Sequence, residues 1–287
     1  MVSRRYSTVT FLSDYGLDDE FVGVVKAVLR DLAPHATVVD LTHGIRPFDV
    51  RGGSLALVRA ITYVPEGVVL AVVDPGVGTA RRAVAIEVAD GAGVLIGPDN
   101  GLLAPAVAVV GGAQRAVELT SAEHQLAAPG ATFAGRDVFA PAAAHLCNGV
   151  ELTELGELID PAVLTPGMIP LPREEADGIH AEVLWVDRFG NCQLNVSPDE
   201  LDGGDEPTDV WTVTLGDERR VARAARSYAE LGTGVVGLVL DSQGMYSLAL
   251  DQHSASAELG LGPGDTVVLA PLTEDGTPTP VALRSRR

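Results

Sequence analysis

The sequence predicts an α/β protein in two parts, an N-terminal α/β domain on a mostly parallel central sheet and a smaller C-terminal β-barrel domain. Three observations carry this expectation. Through the first half, unbroken apolar runs alternate with helix-like stretches, as buried parallel strands and their crossovers do. Four prolines, Pro161, Pro166, Pro170 and Pro172, crowd the stretch between Ile159 and Gly178, which suits an extended connection. Beyond it, short β-type runs are parted by Gly- and Asp-rich turns with few long helical patterns, the pattern of a small barrel or sandwich. The predicted divisions are residues 1–165, a linker over 166–178, and 179–287.

In order, the first strand is expected from Thr8 to Leu12, a helix from Asp18 to Leu32, and a second strand from Thr37 to Leu41. The apolar run Val68 to Val73 ends at Asp74-Pro75-Gly76, and Val94 to Ile96 ends at Gly97-Pro98-Asp99-Asn100-Gly101. Open α/β sheets bind ligands at the carboxyl ends of such strands, so polar residues there become the first candidates. An Ala-rich helix containing His145 follows the Thr132–Phe139 segment. In the second part, strands are expected at Ala181 to Val186, Val210 to Leu215, Val235 to Leu240 and Thr266 to Leu269.

Composition narrows the function. A chain of 287 residues with 46% hydrophobic content buries a substantial core. Aromatic residues make up only 5% and the formal net charge is −19, which would repel a phosphate backbone and argues against nucleic acid as a partner. The opening Met1-Val2-Ser3-Arg4-Arg5-Tyr6 leads into a strand without a signal-type apolar core, and no apolar run approaches a membrane span. A cytoplasmic protein is the expectation. Cys147 and Cys192 stand apart in no paired motif, which reads as two reduced, packed thiols, and the six histidines have no metal-type spacing.

Four segments carry candidate chemistry. Ser13-Asp14-Tyr15-Gly16-Leu17-Asp18-Asp19-Glu20-Phe21 sets acids between a strand end and a helix start. Asp18 serves there as an N-cap, or Asp14 accepts two hydrogen bonds from a vicinal diol while Asp19 faces a cation. Asp74-Pro75-Gly76-Val77-Gly78-Thr79-Ala80-Arg81 lacks the glycine spacing and the Lys-Ser/Thr pair of a phosphate loop. It is either a plain glycine turn or a loop that pairs Asp74 with Arg81 to hold and polarise a water. In Thr132-Phe133-Ala134-Gly135-Arg136-Asp137-Val138-Phe139 the Arg-Asp pair is structural or catalytic. In Asp187-Arg188-Phe189-Gly190-Asn191 the aromatic face and amide suit a purine, or simply build a β-turn.

Taken together and in order, these segments resemble a known family. Ser13-Asp14-x-Gly16, Asp40-Leu41-Thr42-His43 with Pro47-Phe48-Asp49-Val50, Asp74-Pro75-Gly76-Val77-Gly78, Gly97-Pro98-Asp99-Asn100-Gly101-Leu102-Leu103, Thr132-Phe133-x-Gly135-Arg136-Asp137 and Asp187-x-Phe189-Gly190-Asn191 span nearly the whole chain. The chain is thereby similar to the adenosylmethionine hydroxide adenosyltransferases and halogenases, which attack S-adenosylmethionine (SAM) at the ribose C5′. The resemblance implies an N-terminal α/β domain joined to a C-terminal β-barrel, and a homotrimer with each substrate site between neighbouring subunits. It implies no cofactor and no metal, with SAM as substrate and adenosine and methionine as products.

Carried over by motif position, Asp14 is implied to hold the ribose hydroxyls, Phe48 to wall the ribose, and Thr132 and Phe133 to line the adenosine pocket. Asp19 and Asp187 are implied to meet the methionine ammonium, and Phe189 and Asn191 the adenine, with Tyr228 stacking and Ser242 at the methionine carboxylate. Gln243 stands where the halogenases place an arginine beside that serine. Those halogenases also place a tyrosine at the position of Asp74, and the fluoride-using ones a threonine at Val77. A carboxylate at Asp74 repels a halide, and Asp74 with Arg81 matches the hydroxide-using branch. That branch has a histidine where this chain has Ala134. Alanine neither accepts a proton nor orients water, and three explanations stand open: a substitution made to trap ligand, a site in which another group or a bound water fills the gap, or a chain that binds without turnover. His145 is a possible substitute or a core residue of its helix.

Overall fold

In the computed structural model, which describes residues 5–201 and 209–272, each element follows from its burial pattern. The opening Met1-Val2-Ser3-Arg4 lies outside the described residues. The chain divides into two compact units, Met1–Ile169 and Pro170–Arg287.

In the first unit, β1 (Thr8–Ser13) and β3 (Gly67–Val72) are buried along almost their whole length, as strands covered on both faces must be. With β2 (Thr37–Thr42), β4 (Ala83–Val88), β5 (Gly93–Pro98), β6 (Arg115–Glu118) and β7 (Glu157–Ile159) they form one seven-stranded sheet, in the order β2-β1-β3-β5-β4-β6-β7. The pairs β1–β2, β1–β3 and β3–β5 are parallel. The pairs β5–β4, β4–β6 and β6–β7 are antiparallel. The parallel pairs make up the half of the sheet that carries the acidic loops after β1 and β3.

Helices cover both faces. On α1 (Phe21–Leu32) the buried residues Val22, Val25 and Leu29 fall on one stripe, and with α4 (Ala140–Cys147) they join Val68, Leu70 and Val72 of β3 in one core. On the other face α2 (Val50–Ala60) and α3 (Ala104–Val109) meet Val69, Ala71 and Val73. Alternate β3 residues thus point into opposite layers. Gly53 lets α2 approach closely, because a Cβ there would stand 2.9 Å from Leu102 and Val73 side-chain carbons. The N-cap of α1 is Glu20, with no side-chain cap bond, so Asp18 does not cap the helix; the bends at 17–20 place it before the first turn. Asp49 does cap α2, its Oδ1 accepting from the Gly52 amide at 2.7 Å. A π-turn, Gly135–Phe139, feeds α4.

The second unit is a closed barrel. Strands β8 (Arg173–Glu175), β9 (Gly178–Val186), β10 (Cys192–Leu194), β11 (Val210–Leu215), β12 (Glu218–Ala225), β13 (Val236–Leu240), β14 (Tyr246–Ala249) and β15 (Thr266–Pro271) are ordered β10-β14-β13-β12-β11-β15-β9-β8. A further β10–β9 pairing closes seven of them into a ring, which removes the free edges. Val183, Cys192, Leu194, Val213, Leu238, Leu248 and Leu269 fill the interior. β8 lies inside the stretch read from sequence as linker. The short helices α5 (Pro198–Leu201) and α6 (Ala255–Leu259) flank the barrel. Cys147 and Cys192 are free and buried, each within its own unit, and burial pushes both thiols up to about 12. Among the described residues no helix is long and apolar enough to cross a membrane.

Candidate active site

The sheet order itself locates a site. From β1 the chain steps through α1 to β2 on one side and then through α2 to β3 on the other. Their helices lie on opposite faces, so the carboxyl ends of β1 and β3 flank a topological switch point, where open α/β sheets leave a crevice. Asp14 follows β1 directly and Asp74 lies two residues beyond β3. The Asp14 amide donates to the Val72 carbonyl at 3.3 Å, joining the two strand ends.

Asp14 is half-buried, and its Oδ2 accepts from the Phe48 amide at 2.9 Å. Burial raises its pKa above the usual carboxylate value; the Phe48 hydrogen bond opposes that and the Asp74 charge adds to it. Phe48 has φ of 69° and its ring is 72% exposed. A left-handed aromatic residue costs about 1–3 kcal/mol and persists only where its surroundings hold it. Asp14 on one side and the Asp49 cap on the other do so. Behind Asp14, the Ser13 hydroxyl meets His43 Nδ1 at 2.8 Å and the Gly16 amide donates to the His43 carbonyl at 2.9 Å. These bonds pin the β1 loop to the loop that carries Phe48.

Asp74 and Arg81 do pair. Arg81 Nε donates to Asp74 Oδ1 at 2.8 Å and Oδ2 at 3.0 Å, and Nη2 also donates to Oδ2. Both side chains are largely buried, at 6% and 15% exposure. The turn between them closes through Val77 N–H to the Asp74 carbonyl and Thr79 N–H to the Gly76 carbonyl. The guanidinium lies 5.2 Å from the Phe139 ring centroid, stacked on the π-turn. Asn100 Nδ2 donates to the Val73 carbonyl at 2.9 Å, bracing the strand end next to Asp74.

The Thr132–Phe139 segment closes the same region. Phe133 packs edge-on against Phe21 at 5.0 Å and Tyr15 at 5.7 Å, while Thr132 is exposed and Ala134 half-buried. Arg136 is bound to Asp137 by two hydrogen bonds of 2.5 and 2.9 Å and covers the Phe133 ring from 5.1 Å. That pair therefore clamps the loop. Asp19 is exposed in the bends before α1. His145 faces His124 at 4.8 Å on the far part of α4, and burial, then the His124 charge, lowers its pKa. It stands 11 residues beyond Ala134, about three helical turns.

In the barrel unit Phe189, Asn191 and Tyr228 come together around a cavity of about 760 Å³ that is also lined by Leu250, Gln252, Ser254 and Glu258. Phe189 is 77% exposed at its loop tip and Tyr228 42%. Gly190, at φ 86°, presses so closely on Ser254 that any side chain there would collide with it. Asp187 organises this loop: Oδ1 accepts from the amides of Phe189 and Asn191 at 2.8 and 2.9 Å, and Oδ2 from Asn191 Nδ2 at 2.8 Å. Ser242 is exposed on the β13–β14 turn, which Asp241 holds through the Gln243 amide at 2.8 Å. Neither Asp187 nor Ser242 lines the cavity.

Two other features lack the right groups. A cavity of about 380 Å³ beside α3, lined by Val84, Ile86, Leu103 and Val107, offers Asp99, but Arg82 and the Thr165 amide already engage that carboxylate. Glu175, Asp177 and His180 gather at the exposed β8–β9 turn with ligand-type atoms within 4.8 Å of one another, beside the Arg173 guanidinium. Sequence reasoning missed Tyr15, Asn100 and Phe139. Tyr15 and Phe139 sit inside two of the four candidate segments and Asn100 in the loop at a strand's carboxyl end, and that placement was the signal.

Residues 9–156 match the SAM hydroxide adenosyltransferase N-terminal domain and residues 181–268 the C-terminal domain of that family. The chain is 45% identical over 257 residues to an (R)-S-adenosyl-L-methionine hydrolase of Salinispora tropica, covering 90% of this chain and 95% of the relative. It is 43% identical over 269 residues to the protein of the same name from Thermus thermophilus, covering 91% and 98%. A solved structure of an uncharacterized conserved protein from Thermotoga maritima superposes with a TM-score of 0.83 at 34% identity, covering 91% of this chain and 99% of that one.

Proposed function

The chain belongs to the SAM hydroxide adenosyltransferase family, and from that membership we propose that it hydrolyses S-adenosyl-L-methionine to adenosine and L-methionine. It is an enzyme of the hydrolase class, and its relatives' name, (R)-S-adenosyl-L-methionine hydrolase, points to the R sulfonium as substrate. The observation that carries the reading is the Asp74–Arg81 pair beside Asp14 at the switch point.

In this reading Asp14, ionised, accepts both ribose hydroxyls while Phe48 walls the sugar. Thr132 and Phe133 line the adenosine, Phe189 and Tyr228 stack on adenine in the barrel cavity, and Asn191 meets its edge. Asp19 and Asp187 face the methionine ammonium and Ser242 its carboxylate. Asp187 has little spare hydrogen-bonding capacity, since its loop occupies three of its acceptor positions; its contribution is mainly its charge.

A water held at Asp74 attacks C5′. Its oxygen forms the new bond to C5′, the C5′–S pair passes to sulfur as neutral methionine leaves, and the water proton goes to Asp74. Arg81 fixes the carboxylate and keeps it oriented. The sulfonium charge vanishes along the path as the Asp74 carboxylate takes up the water proton, so a site poor in bulk water favours the reaction. A halide would meet the Asp74 charge, and Val77 offers no hydroxyl to bind one. We propose no cofactor, a cytoplasmic location, and a homotrimer whose sites are completed by a neighbouring subunit; the exposed rings of Phe48, Phe189 and Tyr228 support an assembly that covers them.

Incubation with SAM in halide-free buffer tests the reading. Release of adenosine and methionine in equal amounts, unchanged by added chloride, is expected. Tight calorimetric binding of SAM without products would instead favour a binding protein, the reading to which Ala134 lends weight.

A further inference from the structure

Ala134 leaves the candidate water site without the imidazole of the resembling family, yet a polar group stands beside it. Tyr15 follows Asp14 on the β1 loop, and its ring is gripped edge-on or tilted by Phe11, Phe21 and Phe133 at 6.5, 5.6 and 5.7 Å. Its backbone is fixed as well, the Tyr15 amide donating to the Ser13 hydroxyl at 3.3 Å. The ring therefore has one orientation. Its hydroxyl lies against Gly135, so closely that any Cβ at that residue would collide with it. Gly135 opens the π-turn, and Ala134 makes no side-chain cap bond there. The phenol oxygen therefore stands beside the Gly135 backbone at the start of that turn. A phenol hydroxyl has one proton of its own to donate. Tyr15 follows Asp14, whose amide is bonded to Val72 at the end of β3, and Gly135 opens the turn whose Phe139 carries the Arg81 guanidinium at 5.2 Å, so the loop of Tyr15 and the turn it touches both reach the groups assigned to ribose and water.

We propose that Tyr15 is a catalytic residue of this chain, its hydroxyl donating the hydrogen bond that orients the attacking water in place of the imidazole that Ala134 lacks. The assignment rests on the hydrolase reading given above. Water is then held from two sides, giving one proton to Asp74 and receiving one hydrogen bond from Tyr15, with its remaining lone pair aimed at C5′. Tyr15 keeps its proton throughout; burial, then the Asp14 and Asp74 charges, push its pKa well above the ordinary phenol value. It is a neutral donor at every working pH and adds no break to the pH–rate profile. The close approach to Gly135 is also the reason a glycine is needed there.

The test compares the full chain, Tyr15→Phe, and Tyr15→Phe combined with Ala134→His, by steady-state kinetics with SAM and by calorimetric Kd. Tyr15→Phe keeps the ring and its packing. Its kcat is expected to fall about 10²-fold, the lower end for loss of a proton-handling group, with KM and Kd within about threefold because only the water contact is lost. Adding Ala134→His is expected to recover about tenfold or more of kcat, which repair of mere packing would not do. A Tyr15→Phe variant with the parental kcat overturns the assignment while leaving the hydrolase reading intact. A double variant as slow as Tyr15→Phe, with SAM still bound, overturns it too. If the unaltered chain binds SAM but releases no adenosine, the hydrolase reading fails and the Tyr15 role falls with it.

Discussion

Asp74→Asn lowers kcat by about 10²- to 10⁴-fold, the range for losing a positioned general base. The amide keeps the shape of the side chain but neither takes the water proton nor balances Arg81. KM for SAM changes little, because the carboxylate touches the nucleophile and not the adenosine. The variant also leaves a guanidinium of 15% exposure without its anion, and breaking a buried pair costs about 3–5 kcal/mol. Denaturant unfolding alongside the kinetics separates the two effects. Arg81→Lys is the companion experiment. It keeps the charge but loses the two-pronged grip of Nε and Nη2, so its kcat should fall between that of the parent and that of Asp74→Asn. Full activity in Asp74→Asn, with the fold intact, would remove Asp74 from the chemistry.

Asp14→Ala raises KM and lowers kcat/KM by about 10²- to 10⁴-fold. Two hydrogen bonds from a diol to a carboxylate are worth about 1.5–3 kcal/mol each, or about 3–6 kcal/mol together, and each 1.36 kcal/mol is tenfold. The substitution also frees the Phe48 amide and leaves the Asp49 cap alone to hold that residue in its left-handed conformation. Acid titration gives an independent check. The raised pKa of Asp14 in the unliganded protein means that the ionised form, the one that accepts hydrogen bonds from both hydroxyls, is lost at a higher pH than for an ordinary aspartate. Below that pKa, kcat/KM should fall as pH falls, and 2′-deoxy substrate should show a weaker version of the drop. An Asp14→Ala variant with parental KM would contradict the ribose assignment.

The alternation of apolar strands and amphipathic helices was legible because burial on both faces leaves β3 an unbroken apolar run and β1 a largely apolar one. Strand direction was not. The apolar period of β4 and β6 is the same whether they run parallel or antiparallel to β5, and only chain connectivity in space makes them antiparallel. The start of α1 slipped from Asp18 to Phe21 because the acids ahead of it mimic an N-cap without making the bond. The extra strand β8 was hidden by the prolines around it, since Pro170 and Pro172 precede an edge strand that tolerates them. In the site, Asp74 and Arg81 were readable as a pair across a tight loop. Tyr15 was not, because 120 residues separate it from Gly135, and a tyrosine among acids has no pattern of its own. Phe139, beneath Arg81, ends the Thr132–Phe139 segment, and no pattern in that segment pairs it with a residue 58 positions earlier.

The central claim is that water held at Asp74 attacks C5′ of SAM, and turnover in ¹⁸O-enriched water with mass analysis of both products tests it most directly. One ¹⁸O atom is expected in adenosine, at the 5′ oxygen, and none in methionine. Label in an amino-acid product in place of adenosine, or bound SAM recovered intact after long incubation, would contradict it.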